Sequence, residues 1–406
     1  MDTKLLPRDR YIERLRPFMD KPVIKVITGM RRVGKSGVLE LVNQDLLSKR
    51  TPKKSILFIN KESLEFSFIE TYKDLDSYVK KSFKGVPGSQ YLFIDEIQDI
   101  EGWEKAIASL LAEKRCDIYL TGSNATLLSS ELSTLLTGRY IEIDVYSLSF
   151  REYLRFRQAH GNGQDVEKEF DGYLRYGGLP GIHAFPLEDE VVYAYLNSVL
   201  DAIVYKDIVK RHKIRDLSLL ERVIAFVFGN CGNLTSAKSI SDYLKSQRSR
   251  ANVATIQDYC LAMEQAYLVH RLRRFDLKGR RHLEYAEKFY MGDAGIRHGL
   301  IGYADRDIAG VLENVVALEL LRRGYKLSVG SLNGLEVDFV AQKPGETLYV
   351  QVCSRLADSK TVDREFGNLE RINDNYPKRV LSLEKHFPPD RKGIKHTHIS
   401  DFLLET

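Results

Sequence analysis

The sequence predicts an α/β protein of more than one domain. An N-terminal parallel sheet is followed by a helical middle region and a second, C-terminal α/β unit. Three observations predict this. Gly29-Met-Arg-Arg-Val-Gly-Lys-Ser36 reads G-x-x-x-x-G-K-S, the phosphate-binding loop pattern, and it stands between an apolar strand and a stretch with helical apolar spacing. Strand and helix patterns alternate from residue 23 to 145, as in a parallel sheet covered on both faces. Tyr91-Leu-Phe-Ile-Asp-Glu96 is an apolar run ending in two carboxylates. It puts Asp95 where an open α/β sheet binds ligand, at the carboxyl ends of its strands.

Composition bounds the reading. A chain of 406 residues asks for two or three domains. No apolar run approaches the length of a membrane span, and Met-Asp-Thr-Lys-Leu-Leu-Pro-Arg-Asp-Arg10 has no signal-peptide core, so a cytoplasmic protein with no membrane partner is expected. Cys116, Cys231, Cys260 and Cys353 are scattered without a C-x-x-C pair, which argues for a reducing compartment and against a disulfide framework or zinc site. The net charge of +5 is mild for this length, so only its local distribution bears on nucleic acid.

Taken in order, residues 1–22 carry Arg8, Arg10, Arg14 and Arg16 among Tyr11, Ile12, Leu15 and Phe18, a short basic amphipathic helix read as a lid beside the nucleotide pocket. Val23–Thr28 is the first strand. The cradle is Gly29, Met30, Arg31, Arg32, Val33, Gly34, Lys35, Ser36 and Gly37. Its glycines let backbone N–H groups curl around phosphate, and the following helix N-terminus adds partial positive charge. Lys35 can reach the β- and γ-phosphates, while the Ser36 hydroxyl can hold Mg²⁺. Residues 54–60 are the second strand, and breakers mark Gly85–Gln90 as a loop. On the third strand Asp95 would orient the Mg²⁺ shell and Glu96 would polarise the attacking water. A helix from Ile97 to Ala112 leads to the strand Asp117–Gly122, which ends in Ser123-Asn124. That pair either touches the γ-phosphate or turns the chain into the helix Leu127–Leu136. Thr137-Gly-Arg139 then enters the strand Tyr140–Val145.

This set resembles the AAA+ superfamily of P-loop ATPases: phosphate loop, Asp-Glu Walker B, polar residue after the next strand, arginine before the fifth. Asp-Glu-Ile-Gln98 with Gly102-Trp103, and Leu136-Thr-Gly-Arg-Tyr140 with Ser147-Leu-Ser-Phe-Arg-Glu-Tyr153, look like a prokaryotic branch that carries a C-terminal domain of unknown function. The resemblance implies ATP and Mg²⁺ as ligands, with Lys35, Ser36, Asp95 and Glu96 as the ATPase core and Ser123 or Asn124 as sensor. It implies that Arg139 is an arginine finger or else a salt bridge at a domain edge. A finger would require a homo-oligomer, since one subunit could not complete its own site.

The organisation expected is an ATPase domain over 1–155, a helical linker over 156–232, a winged helix over 233–300 and a last domain over 301–406. Ser239–Lys245 and Arg250–Glu264 read as a helix-turn-helix, and Leu268–Phe275 with His282–Ala286 as a wing around Asp276-Leu-Lys-Gly-Arg-Arg281. Arg250, Arg273, Arg274, Lys278, Arg280 and Arg281 are the candidate contacts to double-stranded or branched DNA; a packing module with solvated charges is the competing account. The last segment resembles the restriction-endonuclease-like fold. Glu313 and Asp338 match two of its acids, while Gln351-Val-Cys353 stands where Glu-x-Lys belongs. Glutamine is a poorer Mg²⁺ ligand and cysteine lacks the lysine's charge, so this core is expected to be catalytically degenerate.

Overall fold

The computed structural model describes residues 5–123, 136, 138–161, 163–249, 251–356 and 358–405. The chain forms two compact units, Met1–Val145 with Gln265–Tyr267, and Tyr146–Glu264 with Leu268–Thr406.

The first unit holds five strands: β1 (Ile24–Thr28), β2 (Ile56–Asn60), β3 (Tyr91–Asp95), β4 (Asp117–Gly122) and β5 (Tyr140–Asp144). Their order is β2-β3-β4-β1-β5, every pair parallel. β1 and β3 are buried at every residue because helices cover both faces. Ile24, Val26, Leu92, Ile94 and Leu120 pack against Leu75, Val79, Ile107 and Leu110 from the covering helices. Lys25 is the exception in β1. Its side chain is fully buried, and its ammonium pairs with Asp117 at the start of β4 while donating to the Lys21 carbonyl at 3.2 Å. Such a charge is tolerated inside only because it is paired and hydrogen-bonded.

The helix expected from Ile97 begins at Trp103 instead, after a single 3-10 turn at Ile97–Asp99. Ile100 leaves that turn extended, and Gly102, at φ 64°, stands just before the helix as its N-cap. The helix expected over 127–136 lies outside the described residues, Leu136 excepted. At the other edge Tyr267, itself left-handed at φ 56°, brings its hydroxyl within 3.3 Å of Glu142 and 3.2 Å of Asp144. The Thr28 hydroxyl faces the same two carboxylates at 3.0 and 2.9 Å. Crowding out of water and the charge of Asp144 push the Glu142 carboxyl up to about 7.

The second unit contains a sheet ordered β12-β13-β11-β10-β9-β8-β6-β7. Its strands are β6 (Val269–Asp276), β7 (Arg281–Met291), β8 (Lys326–Leu332), β9 (Leu335–Lys343), β10 (Glu346–Val352), β11 (Lys378–Ser382), β12 (Asp390–Arg391) and β13 (Ile394–His398). Helices Ala237–Ser246 and Val253–Gln265 precede the β6–β7 hairpin in the order expected of a winged helix. The hairpin is not a free wing, however. β6 also pairs in parallel with β8, Arg274 opposite Val329, so one sheet spans the division expected at 300. β7 also runs on to Met291, beyond the expected end at Ala286. Its last residues Phe289, Tyr290 and Met291 are buried, and the helix Ile308–Arg322 ties to them through Asn314, which accepts the Met291 N–H at 2.5 Å.

Candidate nucleotide site

Three left-handed residues shape the phosphate loop: Gly29, Arg32 and Gly34 have φ of 141°, 67° and 96°. A Cβ on Gly29 would lie 2.2 Å from the Val145 carbonyl oxygen, so only glycine lets the chain leave β1 beside β5. Met30 and Val33 bury their side chains and anchor the loop to the core, whereas Arg32 and Ser36 are exposed and Gly37 is half-buried. Arg31 lies 3.7 Å from Glu62. Gly34 hands the chain to the helix Lys35–Ser48, whose first N–H groups have no partner within the helix. Lys35 curls back over the loop, its ammonium donating to the carbonyls of Gly29 and Met30 at 3.0 and 3.1 Å.

Asp95, at the end of β3, is 2% exposed. Burial raises its carboxyl above the usual range, opposed by hydrogen bonds from the Ser36 and Thr121 hydroxyls. The two residues expected to share Mg²⁺ therefore meet. Thr121 serves two partners at once: its hydroxyl donates to Asp95 and accepts the Glu96 N–H at 3.0 Å. Glu96 is left-handed at φ 57°, a conformation uncommon for a side chain of this kind, and the Thr121 bond to its own N–H helps hold it there. Its carboxylate accepts from the Gln98 amide. Ser123 closes β4 fully buried, and Asn124 lies outside the described residues.

Arg139 is exposed at the amino end of β5, where its carbonyl accepts the Ile24 N–H at 2.9 Å. Gly29 stands at the opposite, carboxyl end of β1, about 16 Å away at the rise of a strand. Arg139 thus cannot reach the phosphate loop of its own chain. Arg8 was expected only as part of a basic helix, yet it is 3% exposed and donates to the Val33 carbonyl of the loop at 2.7 Å.

The acids of the C-terminal core meet around a lysine. Lys288 on β7, its side chain 3% exposed, lies 3.0 Å from Glu313, 2.8 Å from Glu336 and 3.2 Å from Asp338. Burial disfavours its charge, but the neighbouring acids, Asp338 foremost, outweigh that and hold it above the usual lysine range. Burial, then the charge of Asp338, pushes Glu313 up to about 8, against the bonds it accepts from Lys288 and Tyr290. The Asp338 carboxylate accepts the Val352 N–H at 2.9 Å, and the Gln351 amide oxygen accepts the Asp338 N–H at 3.3 Å. The Cys353 thiol is buried and pushed up to about 12. This donor set does not fit a divalent metal, because an ammonium already takes up the acids. Among the described residues, no group of three or more His, Cys, Asp or Glu is arranged to hold one.

The basic hairpin is partly neutralised. Arg273 lies 3.6 Å from Glu287, and Arg274 donates to the Ser331 hydroxyl at 3.1 Å. At the tip Lys278, Arg280 and Arg281 are exposed, and Arg281 lies 4.0 Å from the Asp276 carboxylate of the turn. Arg250 lies outside the described residues.

A parallel sheet in this strand order, with a phosphate loop after β1 and an Asp-Glu pair after β3, is the arrangement of a P-loop domain of the AAA type. Residues 21–154 match the family model for an AAA domain, and 167–307 match a domain of unknown function. An uncharacterised Haemophilus influenzae protein is 36% identical over 407 residues, covering 100% of both chains. A Methanocaldococcus jannaschii protein is 28% identical over 89% of this chain and 79% of its own. The chain belongs to the family of that Haemophilus protein, and its residues 21–154 are similar to an AAA domain. A Walker-type ATPase of Pyrococcus abyssi shares the fold, with a TM-score of 0.52 at 15% identity over 73% of this chain and 95% of that one. No helix among the described residues is long and apolar enough to cross a membrane.

Proposed function

We propose that the protein binds ATP with Mg²⁺, hydrolyses it, and uses the nucleotide state to control its second unit. The observation that carries this is the convergence of the Ser36 and Thr121 hydroxyls on Asp95, with Thr121 also holding the Glu96 N–H, beside a cradle that admits no side chain at Gly29. Backbone N–H groups from Gly34 to Gly37 would take the phosphates, and Lys35 would exchange two loop carbonyls for phosphate oxygens. A hydroxyl and a carboxylate are the hard oxygen ligands that Mg²⁺ prefers, and Ser36 and Asp95 supply them. A Mg²⁺ ion held by Ser36 and Asp95 would supply charge neutralisation at the phosphates. Glu96 orients and polarises the attacking water once released from Gln98.

The position of Arg139 supports a finger that works in a neighbouring subunit. Mixing Glu96→Gln with Arg139→Ala, each inactive alone, should restore turnover. A wild-type rate strictly linear in protein concentration, with no recovery on mixing, would leave Arg139 a sheet-edge residue.

The exposed hairpin tip favours duplex or branched DNA as what the second unit engages. The C-terminal acids, satisfied by Lys288, are read as a degenerate nuclease core that binds or assembles without cutting. The deciding experiment is steady-state ATPase activity with and without duplex, branched and single-stranded DNA, with Glu96→Gln as control. Stimulation weakened by Arg280→Ala and Arg281→Ala supports the DNA reading. Hydrolysis indifferent to all three, yet abolished in the control, leaves a slow switch that answers to a protein partner. No hydrolysis by the wild type under any condition defeats the ATPase reading.

A further inference from the structure

We propose that Arg8 is a positioning residue for nucleotide: by holding the Val33 carbonyl it turns the Gly34 N–H toward the phosphates. This rests on reading the loop as the ATP site.

Val33 sits between two left-handed residues, Arg32 at φ 67° and Gly34 at φ 96°. Its side chain is 1% exposed and locked in the core. The remaining freedom of the loop at this point is rotation of the Val33–Gly34 peptide plane. In a trans peptide the carbonyl and the following N–H point in opposite directions. A donor that grips the Val33 oxygen from the protein side therefore aims the Gly34 N–H out of the protein and into the cradle. Arg8 is that donor, at 2.7 Å.

The grip is built into the fold. Arg8 is 3% exposed, with its guanidinium 4.6 Å from the Tyr11 ring centre and 3.4 Å from the Tyr11 hydroxyl. Tyr11 and Leu15 bury the inner face of the helix Asp9–Leu15. Leu5 reaches to 3.6 Å of where a Gly37 side chain would begin, so the arm follows the loop into its helix. A buried guanidinium here also adds fixed positive charge beside a site for polyanions, where low dielectric strengthens it. Without Arg8 the peptide can flip, presenting a carbonyl where phosphate needs a donor.

The test compares Arg8→Met with wild type in binding of fluorescent ADP and ATP analogues and in steady-state kinetics. The hydrogen bond has a charged donor, so its loss should weaken binding roughly tenfold to a hundredfold. ADP and ATP should weaken by the same factor, because the loop peptide faces phosphates common to both. KM should rise with kcat within about twofold, since the chemistry lies at Glu96. Leu15→Ala loosens the same helix through packing alone and is used at matched loss of melting temperature; it should bind as wild type does. Lys35→Ala separates the two claims. If wild type binds no tighter than Lys35→Ala, the phosphate-site reading fails. If Lys35→Ala abolishes binding while Arg8→Met stays within twofold of wild type, the positioning role is overturned and the site stands. A loss confined to ATP, or Leu15→Ala as weak as Arg8→Met, overturns it equally.

Discussion

Replacing Lys288 with methionine tests whether the acids of the second unit are held by an internal cation. Methionine nearly matches the lysine stem in volume, so little cavity energy enters. The charge does: Lys288 is 3.2 Å from Asp338, with side-chain exposures of 3% and 7%. Glu336, at 37%, can turn to water, and Glu313, raised to about 8, keeps its proton at neutral pH. Asp338 would be left as a buried charge without its counter-ion. Breaking a buried pair from one side costs about 3–5 kcal/mol. For a unit of this size that lowers the melting temperature by roughly 6–20 °C. Lys288→Met with Asp338→Asn removes both charges and should recover a large part of the loss, a coupling of about 1–3 kcal/mol in the double-mutant cycle. The loss should shrink as pH falls, because Asp338, itself raised by burial, takes up a proton more readily. Denaturant unfolding and calorimetry measure all of this. A loss under about 1 kcal/mol, or a double variant no more stable than the single, would refute the idea that this ammonium satisfies the acids.

Three other outcomes follow from the geometry. Gly29→Ala places a Cβ 2.2 Å from the Val145 oxygen at φ 141°; strain and overpacking together should cost about 2–6 kcal/mol, and an unshifted melting curve with nucleotide binding intact would contradict the close approach. Thr121→Val orphans the Glu96 N–H and removes a bond to Asp95, so kcat should fall about tenfold or more, while unchanged kcat would deny Thr121 a place in the site. Glu313 has an ordinary value of 4.5 and is raised to about 8, so between those pH values the folded chain keeps a proton that the unfolded chain releases. The stability of the second unit should therefore decline as pH rises through that window, and Glu313→Gln should flatten the decline. An unaltered slope in the variant would assign the titration elsewhere.

The phosphate loop and the carboxylates of β3 were legible because each is written in one short run and local pattern suffices to place it. β4 was legible for the same reason. Thr121 was hidden inside that run. Nothing local marks a threonine at a strand end as the one whose hydroxyl reaches a neighbouring strand. Arg8 stood among four arginines of like spacing, and only the path of the arm across the loop singles it out. Lys288 escapes a sequence reading because the strand pattern around 282–286 by itself gives no sign that the strand continues. The alternation after it, Phe289 and Met291 on one face with Lys288 and Tyr290 on the other, carries the signal. The pairing of β6 with β8 could not be read at all, since sequence pattern fixes which face a strand buries but not which neighbour it finds. Lys25 runs against pattern outright, a charge inside an apolar strand explained only by Asp117 across the sheet.

Tyr267 makes the first unit discontinuous: Gln265–Tyr267, from the last residue of one helix to the approach to β6, belong to it. Their hydroxyl contact falls on Glu142 and Asp144, the carboxylates that Thr28 faces one residue before the phosphate loop. A polypeptide cut after Val145 would carry every nucleotide motif and still lack that piece. The unit therefore closes only where the chain returns, at 265–267, to the β5 edge.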